Sequence, residues 1–132
     1  MLSPITHTQF ARLQERYPGA TLQELPSGAA LVTVPGVSLP TGWSPTTTTI
    51  RFVVPAGYPG PVPDCFWSDS ELRVNGRGTP QASNLTQRIP ELNLPGHWFS
   101  WHVTDATRNW NPNRDSLLTY VGIILDRFRH LQ

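Results

Sequence analysis

Fourteen prolines in 132 residues set the limits within which this chain can fold. They amount to about twice the usual share of roughly 5%, yet they are scattered between short apolar runs and form no low-complexity tract. Each lacks an amide hydrogen and fixes φ, so helices and central strands end near it. The prolines therefore punctuate a folded domain built of short elements. With 38% hydrophobic residues, the length suits one compact domain over residues 1–132 with a single core.

The runs between the prolines define the elements. Thr6-His7-Thr8-Gln9 has the form of a capping box, and Phe10, Leu13 and Tyr17 then recur at helical spacing until Pro18-Gly19. This predicts an N-terminal helix. Ala20–Leu25, Gly28–Val34 and Thr46–Val54 follow as strands, each bounded by Pro or Gly. In the third, Ile50, Phe52 and Val54 alternate with Thr49, Arg51 and Val53, so one face can pack on a helix. Cys65-Phe66-Trp67 supplies a fourth strand. Residues 68–97 hold Asn75-Gly76, Pro80, Pro90 and Pro95-Gly96 without sustained period and read as a long irregular loop that covers or shapes a site. Asp115 then caps a helix with the stripe Leu117, Leu118, Val121, Ile124, Leu125 and Phe128. The expected fold class is α+β: an N-terminal helix, a four-stranded antiparallel meander, a long loop and a C-terminal helix.

The charge pattern narrows the function classes. Net charge is +1 and the basic residues form no run, which gives no footprint for nucleic acid and no polybasic membrane patch. The start, Met1-Leu2-Ser3-Pro4-Ile5-Thr6, has neither the basic region nor the apolar stretch of a secretory signal, and no segment approaches the roughly 20 apolar residues of a membrane span. A cytoplasmic protein is the expectation. The single cysteine, Cys65, allows no internal disulfide and no cysteine-based metal cluster. His7 and His97 are too isolated to join His102 in a metal site, so neither a metal nor a cofactor is expected. All ten basic residues are arginine, which excludes lysine chemistry, including modification of the chain's own lysines.

Four motifs carry a resemblance over most of the chain: Leu39-Pro40-Thr41-Gly42-Trp43, Val54-Pro55-Ala56-Gly57-Tyr58-Pro59, Pro63-Asp64 and Trp110-Asn111-Pro112. Together they resemble the bacterial E2-like proteins called prokaryotic E2 family E, which have a ubiquitin-conjugating (E2/UBC) fold. The resemblance implies a ubiquitin-like protein and an E1-like adenylating enzyme as partners, with a JAB-type peptidase associated. It also implies that the N-terminal helix meets the E1, which makes Gln9, Arg12 and Arg16 interface candidates. The family's His-Pro-Asn tripeptide is missing. Counting back from Trp110 by the family's spacing lands on His102, where an ordinary E2 has its cysteine.

Acyl transfer in an ordinary E2 uses a thiolate because it is both a good nucleophile and a good leaving group. In Phe99-Ser100-Trp101-His102, an extended backbone puts Ser100 and His102 on one face. His102 could then take the Ser100 proton, with Asp105 orienting the imidazole, and the acyl group would be held as an oxyester. The bland alternatives are a His102 that merely bonds a backbone carbonyl and a buried, inert Cys65 in its strand. The five tryptophans read as core or loop anchors, and Arg127 and Arg129 as solvated helix face. Two function classes follow: a conjugating enzyme using Ser100 or His102, or an inactive E2-like scaffold that binds the modifier or bridges E1 and peptidase.

Overall fold

The computed structural model describes residues 2–76, 78–102 and 110–132. Helix α1 spans Pro4–Arg16. Its N-cap is Ser3, whose hydroxyl accepts the Thr6 amide, and Pro4 occupies the first turn, where a missing N–H costs nothing. The expected capping box at Thr6 is therefore displaced: Thr6 is already inside the helix and buried. Pro18-Gly19 ends the helix as the spacing predicts.

Six strands form one antiparallel sheet. They are β1 (Thr21–Glu24), β2 (Ala30–Ser38), β4 (Thr47–Val54), β5 (Phe66–Ser68), β8 (His97–Phe99) and β7 (Ser83–Asn84), in that spatial order. A separate ribbon pairs β3 (Trp43–Ser44) with β6 (Arg73–Val74). The predicted meander is present as β1, β2, β4 and β5. Two features exceed it. Strand β2 runs past Pro35 to Ser38, because a register shift between Val34 and Val37, with Gly36 at φ 67°, takes up the proline as a bulge. The stretch 68–97, expected as irregular throughout, contains β6 and β7 and ends on the first residue of β8.

Strand alternation gives the sheet two buried faces. Thr48, Ile50, Phe52 and Val54 of β4 point to the helices. Helix α2 (Leu117–Phe128) lies on this face, with the Tyr120 ring 4.9 Å from Phe52 and Phe128 edge-on to the stacked pair Phe66 and Phe99. Its N-cap is Ser116, one residue after the expected Asp115, with a reciprocal bond to Thr119; Asp115 instead accepts the Asn111 amide. Gln9 ties the layer together, since its Oε1 accepts from the Tyr58 hydroxyl at 2.6 Å and the Leu117 amide at 3.1 Å. On the opposite face Leu25, Leu31, Trp67 and Ile89 form a smaller cluster, and the Trp67 indole donates to the Gln87 carbonyl at 2.9 Å. The later part of the 68–97 excursion, around Gln87, Ile89 and Leu92, thus folds over the face away from the helices, while Leu72 and Val74 join the helix-side core.

Candidate functional site

Register builds the site. Strands β5 and β8 are antiparallel neighbours with Phe66 opposite Phe99, Trp67 opposite Trp98 and Ser68 opposite His97. Extending that ladder outward sets Asp64-Cys65, which enters β5, against Ser100-Trp101-His102, which leaves β8. Two segments far apart in sequence meet at one end of the sheet.

Among the described residues, four side chains converge there. The Asp64 carboxylate is hydrogen-bonded to His102 Nδ1. Cys65 Sγ lies 3.8 Å from the same nitrogen, and Ser100 Oγ lies 3.4 Å from Nε2 on the other side of the ring. The His102 and Asp64 side chains are 41% and 64% exposed, so their contact is screened by water and its value is positional. Cys65 is half-buried. Its φ of 62° is left-handed, a conformation that costs a side-chain-bearing residue roughly 1 kcal/mol or more and persists only when the surroundings hold it. The holding contact comes from α2: the buried Tyr120 hydroxyl donates to the Cys65 carbonyl at 2.9 Å. The other strand end is anchored to the same helix, where the Trp101 indole donates to the Ile123 carbonyl at 3.0 Å.

The arrangement has two chemical capacities. A thiolate at Cys65 would be stabilised by an imidazolium that Asp64 holds in place. With Nδ1–H donated to Asp64, Nε2 is left as a base facing Ser100, which is the connectivity of a serine–histidine–aspartate triad. Ser100 and His102 are therefore brought together as their spacing predicts. The third candidate, Asp105, lies outside the described residues; among the described residues, Asp64 places a carboxylate beside the imidazole. Cys65, expected to be an inert strand residue, stands at the mouth of the strand beside the imidazole. The pairing of 66–68 with 97–99 was the signal that would have found it.

The remaining candidates lie elsewhere. Arg12 and Arg16 are exposed on α1, whereas Gln9 is 9% exposed and its side-chain oxygen is engaged within the fold. His97 is fully buried, with Nε2 2.8 Å from Ser83 Oγ and Nδ1 3.2 Å from the Leu72 carbonyl. Burial first, and then the neighbouring Arg73, holds its pKa below the ordinary value. Arg127 is not on a solvated face. It is 3% exposed, donates to the carbonyls of Gln81, His130 and Gln132, and sits over the rings of Phe99 and Trp43. Arg129 is exposed, as expected.

The family profile of prokaryotic E2 family E matches residues 12–130. The chain belongs to this family. The matched span contains α1 from its third turn, the whole six-stranded sheet, the Asp64–Cys65–His102 cluster and α2. Prokaryotic E2 family E membership gives the chain an E2-like role in a conjugation pathway and implies interaction with a ubiquitin-like protein and an E1-like enzyme. Comparison with curated proteins and with solved structures found no match. No helix among the described residues is long and apolar enough to cross a membrane.

Proposed function

We propose that this chain carries the activated C-terminus of a ubiquitin-like protein, received from an E1-like enzyme, as a thioester on Cys65. The observation that carries this reading is the half-buried Cys65 thiol, held at a left-handed turn 3.8 Å from an imidazole that is itself bonded to Asp64. In the loading step the Cys65 thiolate attacks the E1-bound thioester carbonyl. A new carbon–sulfur bond forms, the E1 thiolate leaves, and the Cys65 proton has gone to His102 or solvent. An acceptor nucleophile then displaces Cys65 from the same carbonyl. Exchange of one thioester for another is nearly balanced in free energy, which suits a carrier.

A second reading rests on a different contact. Ser100 Oγ faces Nε2 of the same ring, so an oxyester on Ser100 uses His102 as base and Asp64 as its orienting carboxylate. The third is a non-catalytic scaffold that holds the modifier or bridges the E1-like enzyme and a JAB-type peptidase.

One experiment separates the three. The purified protein is incubated with the E1-like enzyme, the ubiquitin-like protein and ATP, and the products are weighed intact with and without reductant and hydroxylamine. The expected adduct is cleaved by reductant and is lost in Cys65→Ala. An adduct that resists reductant, yields to hydroxylamine and vanishes in Ser100→Ala assigns the oxyester instead. Modifier binding without any adduct assigns the scaffold.

A further inference from the structure

Asp64, Cys65 and His102 together offer one carboxylate oxygen, one thiolate sulfur and one imidazole nitrogen, all within 4.8 Å of one another. We propose that this trio binds a thiophilic divalent cation of the zinc class, and that the bound ion masks the Cys65 thiol. The inference goes beyond the carrier reading and does not depend on any modifier being attached.

Three arguments support it. The first is donor chemistry: thiolate, imidazole and carboxylate are the ligand types zinc takes, and three protein ligands with an open fourth position is a recurring zinc arrangement. The second is reach. Sulfur and nitrogen are 3.8 Å apart, close to the separation of two ligands sharing a tetrahedral ion with zinc–sulfur near 2.3 Å and zinc–nitrogen near 2.0 Å. The Asp64 side chain, 64% exposed, is free to swing from its present bond with Nδ1 to a position beside the ion. The third concerns the other ring nitrogen. A metal-bound histidine donates its second N–H to a fixed partner, and Ser100 Oγ stands 3.4 Å from Nε2 in the position of that acceptor. The ring would then bind the cation through Nδ1 and keep its proton on Nε2.

Coordination requires the thiolate, so binding releases the Cys65 proton to solvent and tightens as pH rises. It also withdraws the sulfur lone pair from acyl transfer, which makes the ion a reversible block on loading of the free thiol.

Cobalt(II) is the probe, because a thiolate ligand gives it a charge-transfer absorption and Cys65 is the only cysteine in the chain. The metal-stripped protein titrated with cobalt is expected to develop that absorption at one equivalent and to lose it when zinc is added. Cys65→Ala is expected to lack it, and Asp64→Asn and His102→Ala to weaken binding by about tenfold or more. Absence of the band in the unmodified protein overturns the site, as does an unchanged midpoint in both ligand variants. A second measurement needs no variant: zinc is expected to slow alkylation of Cys65 by iodoacetamide and a chelator to restore it, whereas an unaltered rate overturns the masking. Failure of the adduct experiment with a positive cobalt titration would sink the carrier reading alone.

Discussion

Tyr120 connects the helix layer to the reactive end of the sheet through a single hydroxyl. Its bond to the Cys65 carbonyl is 2.9 Å long and part-buried, so Tyr120→Phe removes this donor from the acceptor. The expected loss is about 1 kcal/mol in denaturant melts, accompanied by a changed alkylation rate at Cys65. Gln9 is a sharper case, because one oxygen serves two donors from two elements. Gln9→Leu strands the Tyr58 hydroxyl and the Leu117 amide, with an expected cost of about 2 kcal/mol or more by equilibrium unfolding. Burial pushes the Tyr58 hydroxyl up to about 12, and the nearby Asp115 adds to the shift. The neutral phenol is therefore the form the fold prefers. Its contribution is intact below the ordinary tyrosine value near 10 and declines as pH rises from there toward 12, an alkaline loss that Tyr58→Phe should flatten. Single residues were unevenly legible in the sequence. The nearness of Ser100 to His102 followed from their alternation once the resemblance pointed to His102, but Gln9 reads as an interface candidate and Arg127 as solvated face, because a polar side chain buried by its hydrogen bonds leaves no trace in hydropathy.

At the scale of elements, the sequence was most legible where a period was sustained. The alternation of Ile50, Phe52 and Val54 and the stripe of α2 both appear in the structure on the expected faces. Boundaries were less legible, since the Ser3 and Ser116 caps each compete with a plausible neighbour, Thr6 in one case and Asp115 in the other. Short strands in 68–97 were not legible at all. β6 and β7 are two residues each, too short to show a period, and they exist because neighbouring strands accept their hydrogen bonds. His97 joins three of these pieces, linking β8 to Ser83 of β7 and to the Leu72 carbonyl beside β6. Its pKa is lowered in the folded state, so the neutral ring supplies stability that is complete above the ordinary imidazole value of 6.5 and is lost as pH falls below it. Thermal melts between neutral and mildly acidic pH are expected to show this decline, and His97→Gln is expected to reduce its slope.

For the whole molecule, the sheet is shared by two buried clusters, one under the helices and one under the Gln87–Leu92 part of the excursion. Removing either exposes apolar sheet, so unfolding followed by tryptophan fluorescence and by circular dichroism is expected to give one coincident transition. Divergent curves would mean that the excursion opens by itself. The motifs that carried the resemblance, Tyr58-Pro59 after β4 and Trp110-Asn111-Pro112 before α2, both lie within the span the family profile matches. The pairing of β5 with β8 was hidden, since nothing local in either short strand names its partner across the intervening excursion. That pairing has a consequence for quality control. Sliding β8 by one residue against β5 would set Trp101 where Ser100 stands and turn alternate side chains to the wrong face, scattering the reactive trio. A misthreaded copy would therefore be silent chemically as well as misfolded, and the acyl loading proposed for Cys65 would count only those molecules whose strands had found their true alignment.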